Sequence, residues 1–525
     1  MLGNLRVKRA HRPDDEIKPH TSAYNILTII IAGLGSFVFG YANNTIAGSL
    51  AQTSFIEKFL SGGNADQVTD GIMGAFLGGG LLGSLGQAPI SQKYGRRVAT
   101  GTAAILITIS GALQAGSVDV AMFIVSRFIC GFGAGMVITN CPVYMSEISP
   151  PHTRGMLVAN HAISIVYAYI TCSAVALGLH FVDHSYQWRL QFVFLTFFAL
   201  CLLASMFVIP ESPRWLVEQD RHDEAWTVLE RLHRHPHDPE STLAHAEMIQ
   251  IKAQVHAEKS LPKGYVYIFK TPHLRKRALC AILVWIMGQS TGVLVIANLT
   301  PVLFRGLGYG IVLQLGLSVV WAVCALVGCL VDAFLMDRVG RVKLLGFGGY
   351  LCAATLLVEG LLQKYYLGTQ NHSGLDAAVA MFFIWIVFYG STIDCAAYVY
   401  VSEIWPTHLR SQGATIGLVS FFATAIAYNS PASKAFATIG WRYYIVFVVV
   451  CCVSATAILF VLPETAGLTL EEISAKFGDH VEVEWNHLHV DHETHKIGEG
   501  VYEDPSVSQI ENVSATGDKE KGITE

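Results

Sequence analysis

Carboxylates and guanidinium groups recur in this chain at matched positions. Glu147 and Arg154, within Ser146–Arg154, keep the spacing of Glu403 and Arg410 within Ser402–Arg410, and each pair follows a long apolar run. Gly95-Arg96-Arg97 answers to Gly340-Arg341, Trp188-Arg189 to Trp441-Arg442, and Pro210-Glu211-Ser212 to Pro463-Glu464-Thr465. Opposite charges at helix ends can pair, and at exposed positions a pair is worth roughly 0 to 1 kcal/mol, weak enough to break and remake. A repeat unit of roughly 250 residues far exceeds solenoid periods and fits a membrane protein of two related bundles.

Other ionisable groups lie inside the apolar runs, where charge is expensive and points to function by default. These are Arg127, Asp332, Glu359 and Asp394. Asp394 sits deepest, about two and a half turns before Glu403 on a 1.5 Å rise. It is a candidate proton carrier or a structural partner for another group. No phosphate-binding glycine loop is present, and no nucleophile, base and orienting group share a soluble domain, so the chain is not read as an enzyme. His480, His487, His489, His492 and His495 lack the fixed spacing of a metal site. No metal and no cofactor are expected.

The elements that must hold these groups follow from composition. The chain has 525 residues, 52% hydrophobic and 14% charged, against about 25% charged in an ordinary soluble domain. Mean hydropathy is +0.44. Runs of about 20 apolar residues predict twelve spans: 23–50, 71–90, 98–115, 118–142, 155–180, 190–209, 278–303, 309–335, 344–362, 377–401, 414–437 and 443–462. The fold class is therefore an all-α membrane protein of two pseudo-symmetric six-helix bundles. The expected organisation is an N-terminal tail at 1–22, a first bundle at 23–210, a loop with short helices at 211–277, a second bundle at 278–463, and a tail at 464–525 that is mostly disordered. Lys and Arg of the short loops gather on one side, which puts both termini in the cytosol, with the plasma membrane as the expected location. Asn371-His372-Ser373 then faces outward as a glycosylation acceptor. The eleven cysteines all lie in apolar stretches and read as small packing residues. A net charge of -5 argues against a nucleic-acid partner.

Several motifs together resemble the sugar porter family of the major facilitator superfamily. They are Arg127 through Gly131, Gly133 and Gly135; Glu147 to Arg154; Pro210-Glu211-Ser212-Pro213-Arg214; Asp337-Arg338 through Gly340-Arg341; Glu403 to Arg410; and Pro463-Glu464-Thr465. Gly40 to Asn44 and Tyr398 to Glu403 further resemble fungal members. The resemblance implies a carrier with a central pocket between its halves. It also implies a cytosolic latch that joins the halves, formed by Arg96, Arg97, Glu147, Arg154, Glu211, Asp337, Arg338, Arg341, Glu403, Arg410 and Glu464. Gln92 stands where the first latch has an Asp, so that latch is expected to be one charge short. Gln289 and Gly292 match the family's seventh-helix sugar signature. Gly288, Leu294, Ala162, Tyr398, Phe421 and Phe422 depart from the usual contacts.

Replacement contacts are expected from His161, Asn298, Asn160 and Tyr398, with Asn140 and Thr291 as further donors; polar groups of this kind also bridge membrane helices. In proton-coupled members an acid of the first helix pairs with the Arg matched here by Arg127. Ala42 holds the acid's position, so Asn43 or Asn44 is expected to solvate Arg127. Coupling would then rest on Asp394, and without it the protein would be a uniporter. Three functions stay open: a carrier of a sugar or related polar solute, by proton symport or uniport; an exporter of a less polar secondary metabolite; and a nutrient sensor without flux. The partners are a small solute, protons if coupled, and the bilayer.

Overall fold

A chain in hydrocarbon has no water to satisfy its backbone N–H and C=O groups, so each long apolar run must close its hydrogen bonds within itself as a helix. The computed structural model describes residues 22–150, 154–182, 186–234, 238, 241–259, 261–262, 264–369, 371–466, 468, 473 and 476–478. Twelve long helices stand among them. The first six are α1 (Ala23–Ala51), α2 (Ala65–Tyr94), α3 (Arg96–Ala115), α4 (Val120–Ile148), α5 (Arg154–Leu179) and α6 (Gln187–Ser205). The second six are α7 (Pro272–Ser290, resumed as Val293–Gly306), α8 (Ile311–Val339), α9 (Arg341–Tyr366), α10 (His372–Tyr389, a π turn Gly390–Asp394, then Cys395–Glu403), α11 (Arg410–Asn429) and α12 (Arg442–Val461).

Eleven of these spans are long and apolar enough to cross a membrane among the described residues. The twelfth, α11, has 20 residues but buries Ser411, Gln412, Thr415 and Asn429. Its polar face meets protein and not lipid, so it need not look apolar in sequence. Three expected boundaries change. The seventh span is not continuous, because the chain breaks at Thr291 and Gly292, where φ is +80°. The tenth carries a π turn. The eleventh stops at Asn429, since Pro431 cannot donate the next backbone hydrogen bond, and Ala432–Ile439 forms a separate helix.

The repeat appears in space as two turns of the same construction. Gly95 (φ +95°) joins α2 to α3 and Gly340 (φ +102°) joins α8 to α9. A β-carbon at Gly95 would strike the Glu211 carboxylate, and one at Gly340 the Glu464 carboxylate. Only glycine satisfies both the backbone angle and the approach of the acid. Within the first half, α2 and α4 meet along glycines: a β-carbon at Gly131 would overlap the Phe76 carbonyl, and one at Gly135 that of Gly80. This is the close helix contact that small residues permit in membranes.

Between the halves, helices Pro213–Glu218, His222–His233, Thr242–Lys259 and Tyr265–Lys270 occupy the loop. Trp215, Leu216, Ala225, Leu229, Ala244 and Met248 give the first three a small apolar core of their own. All eleven cysteines are free, and most are buried.

Candidate functional site

At one end of the bundles the two turns organise matched charge clusters. In the first, the Arg96 guanidinium donates through Nε and Nη2 to both oxygens of Glu147, at 2.7 Å each. The two side chains are only 6% and 4% exposed. Glu211 accepts from the backbone N–H of Arg96 at 2.9 Å, of Arg97 at 3.2 Å and of Ser212 at 2.9 Å. Burial pushes the Glu211 carboxyl up, against the pull of those N–H groups. In the second cluster, Arg341 Nη2 contacts Asp337 at 2.7 Å and Glu403 at 3.3 Å. Glu464 accepts from the N–H of Arg341 at 2.8 Å and of Val342 at 3.1 Å. Tyr144 donates to the Pro210 carbonyl at 2.6 Å, and Tyr400 to the Pro463 carbonyl at 3.3 Å.

Each of these ion pairs joins helices of one half. The expectation that they bridge the two halves is corrected to that extent: each latch ties α3 to α4, or α9 to α10, at its own turn. Arg97 takes part through its backbone N–H. Arg338 is exposed and joins no ion pair among the described residues. Arg410 opens α11 and is 5% exposed. The side chain of Arg154 lies outside the described residues.

Polar contacts between the halves occur at the opposite end. Asp70 of α2 accepts from the N–H groups of Ser433 and Lys434 at 2.9 and 3.3 Å, at the start of helix Ala432–Ile439. Arg305 of α7 donates to the Leu50 carbonyl of α1 at 2.7 Å. Neither contact is written in a motif, because each joins residues of different halves whose only link is the packing. Nearby, a cavity between Asn44, Tyr169 and Ser173 of the first half and Thr300, Ser318 and Trp321 of the second has about 10 Å³ for water centres, room for a single water molecule. This end is closed.

Between the closed end and the latches, α5 meets α10 through an aromatic cluster. The His161 ring stands edge-on to Tyr398 at 4.6 Å, Tyr398 to Trp285 at 4.7 Å, and Trp285 to Phe421 at 5.1 Å. Phe422 follows at 5.0 Å from Phe421, with Phe39 of α1 beyond it at 6.5 Å. His161 Nδ1 shares a hydrogen bond of 2.6 Å with Ser36. His161 Nε2, Trp285 Nε1, Gln289 Nε2 and Asn298 Oδ1 are buried without a hydrogen-bond partner in the protein. Leaving a buried polar atom unpaired costs about 1–3 kcal/mol.

The predicted solute contacts divide accordingly. His161 and Tyr398 come together across the halves, and Gln289 lies one turn beyond Trp285 on α7. Asn298 donates to Asn429 at 3.2 Å, a bridge within the second half. Asn160 donates to the Ile29 carbonyl at 3.3 Å on the α1–α5 seam. Asn140 is displaced from the solute set: its amide accepts from Gln87 and Ser91 and donates to the Arg96 carbonyl and Thr100, all within 2.9 Å. Thr291 donates to the Gly288 carbonyl at 2.7 Å. Trp285 and Ser36 were not anticipated. The first could be read from its i, i+4 relation to Gln289; the second has no sequence signal.

Of the coupling candidates, Arg127 is 1% exposed. It donates to the Ala42 carbonyl at 2.9 Å and to Thr45 at 3.3 Å, and lies 4.4 Å from the Phe76 ring centre. The expected help from Asn43 and Asn44 is absent, because those side chains point around α1 to Tyr169 and Ser173. Asp394 closes the π turn of α10 and accepts from Cys329 Sγ at 3.1 Å. Behind it, Asp332 of α8 accepts from the N–H groups of Cys395 and Ala396 at 2.9 and 3.0 Å. A π turn shifts backbone hydrogen bonds out of the α register, and Asp332 supplies the acceptor at that point. Gly328 and Gly390 let α8 and the turn touch backbone to backbone. Asn371 caps α10 through its side-chain oxygen, which accepts from Gly374 at 3.3 Å, and is exposed. The five tail histidines lie outside the described residues.

Residues 28–477 match the family described as sugar (and other) transporter. The chain is 32% identical over 454 residues to the MFS-type transporter criB of Aspergillus cristatus, covering 86% of this chain and 93% of that protein. It is 29% identical over 483 residues to the high-affinity glucose transporter of Kluyveromyces lactis, covering 88% and 86%. The solved structure of the proton:xylose symporter XylE bound to 6-bromo-6-deoxy-D-glucose matches with a TM-score of 0.75 at 23% identity, over 87% of this chain and 100% of that one. At that identity the likeness establishes the fold.

Proposed function

Because the chain belongs to the sugar transporter family of the major facilitator superfamily, whose members are transporters and not enzymes, we propose that it carries a sugar or polyol across the plasma membrane by alternating access. The observation that carries the reading is the pair of buried polar atoms without protein partners on the ring cluster that joins the halves, His161 Nε2 and Trp285 Nε1, with Gln289 Nε2 one turn beyond Trp285. Solute hydroxyls would meet them, and the rings of Tyr398 and Trp285 would cover the apolar face of a pyranose. Net movement needs the contacts of Asp70 and Arg305 to open at one end while the two halves, each kept in shape by its own latch, approach at the other, then the reverse. The latch end faces the cytosol with both termini, and Asn371 faces outward as a glycan acceptor; its capping uses the oxygen and leaves the amide nitrogen for the glycan.

Asp394 carries the proton in a symport cycle, since Arg127 has no acid beside it. A second reading is favoured by Phe421, Phe422 and Phe39, which line up behind Trp285 where a polyhydroxylated ring finds no hydrogen bonds: export of a less polar metabolite. The deciding measurement is uptake of labelled hexoses, pentoses and polyols into sealed proteoliposomes, with and without a pH gradient. Gradient-driven uptake lost in Asp394→Asn supports symport, and gradient-independent equilibration supports uniport. Absence of flux for every sugar and polyol removes the first reading in favour of the second.

A further inference from the structure

A second cavity, of about 540 Å³, lies at the latch end on the outside of the first half, between the α2–α3 turn, the chain after α6 and the loop helices. Its volume falls in the range of small-molecule pockets, about 300–1,000 Å³. Its lining holds three arginines, Arg97, Arg221 and Arg231, against two acids. Arg97 and Arg231 both line it, and neither guanidinium forms an ion pair among the described residues. Arg221, also in the lining, is held by Glu224 through two hydrogen bonds of 2.7 and 2.6 Å, and lies 5.9 Å from the Trp215 ring centre. The other acid, Glu211, is turned to the backbone N–H groups of Arg96, Arg97 and Ser212. Two guanidinium groups are therefore available to an anion.

The cavity's wall is apolar and faces outward. Phe207 and Val208 are 81% and 66% exposed, directly after the membrane-crossing α6. Exposed apolar groups of that size at the end of a span suit lipid chains and not water. Unpaired guanidinium groups and exposed apolar side chains lining one cavity suit an amphiphile with an anionic phosphate head.

We propose that this cavity binds an anionic phospholipid of the leaflet at the latch end, its phosphate on Arg97 and Arg231 and its chains along Phe207 and Val208. The site is separate from the solute cluster. It touches the first latch through Arg97, whose N–H binds Glu211, so occupancy would stabilise that turn.

The test uses the full chain purified in micelles containing phosphatidylserine and phosphatidylcholine, with retained lipid read by native mass spectrometry. The wild type is expected to retain phosphatidylserine selectively. The Arg97→Gln, Arg231→Gln double variant is expected to lose that preference about tenfold or more. Arg97→Lys with Arg231→Lys should restore most of it, and Lys58→Gln with Lys434→Gln, at the opposite end, should not change it. Melting followed by tryptophan fluorescence confirms that each variant is folded. Equal retention of phosphatidylserine by wild type and double variant overturns the proposal, as does equal retention of phosphatidylcholine by the wild type. Displacement of phosphatidylserine by inorganic phosphate alone also overturns it, because the site would then read a free anion and not a lipid.

Discussion

The two latches descend from one pattern yet divide their charge differently. In the first half, Gln92 removes the acid that Asp337 supplies in the second. Arg96 gives Nε and Nη2 to Glu147, in two bonds of 2.7 Å between nearly buried side chains, and Nη1 to the Ser91 carbonyl at 3.2 Å. Arg341 keeps two acids and serves both with one nitrogen, leaving Nε and Nη1 without partners. In the first latch one acid and one fork adopt bidentate geometry, whereas in the second one guanidinium nitrogen is shared between two acids and Glu403 turns its other oxygen to Thr465. The same asymmetry runs up the neighbouring helix: α4 is continuous, while its counterpart α10 is broken by a π turn that Asp332 clamps.

Breaking the tighter latch should cost most. Glu147→Gln leaves Arg96 buried with its charge unmatched, a loss of about 3–5 kcal/mol, seen as a large fall in melting temperature of the purified protein. Glu403→Gln should cost clearly less, since Arg341 retains Asp337; equal losses would defeat the contrast between the halves.

Asp332→Ala tests the second asymmetry. It removes the acceptor for two backbone N–H groups and should cost about 1–3 kcal/mol, part of which returns if the turn relaxes to α-helix. Hydrogen exchange at Cys395 and Ala396 should rise, with no matching change in α4.

Gln92→Asp makes the first latch resemble the second. Placed on Glu147→Gln, it should recover about 1 kcal/mol by giving Arg96 a new acid, measured as the coupling in a double-mutant cycle. The smallest effect is expected from Asp337→Asn. Its carboxylate is 57% exposed, so the loss should stay within about 0–1 kcal/mol and vanish in high salt.

Much of this was readable along the chain. The spans, the repeat, the acids and guanidiniums of both latches, and the glycines at Gly95 and Gly340 are local or periodic signals. His161, Tyr398 and Gln289 could also be named, through the resemblance: Gln289 matches the family's seventh-helix signature, Tyr398 stands at a usual contact position, and His161 is next to another. The misplacements share one cause. Asn140 looked like a solute donor but is consumed by Gln87, Ser91 and Thr100, and Asn43 and Asn44 looked able to reach Arg127 but point to α5. Adjacent positions on a helix face directions about 100° apart, so proximity in sequence to a charge says little about reaching it.

The amino-acid sequence by itself determined that this chain spans a membrane in two related halves. Apolar length and backbone self-satisfaction act within one helix at a time, and a repeated motif needs no partner to be recognised. The tertiary structure alone decided how each guanidinium spends its donors, that Asp70 and Arg305 close the far end, and that His161 meets Tyr398 across the halves. Those outcomes depend on which helix faces pack together, and packing is settled by the whole bundle at once and not by any one segment.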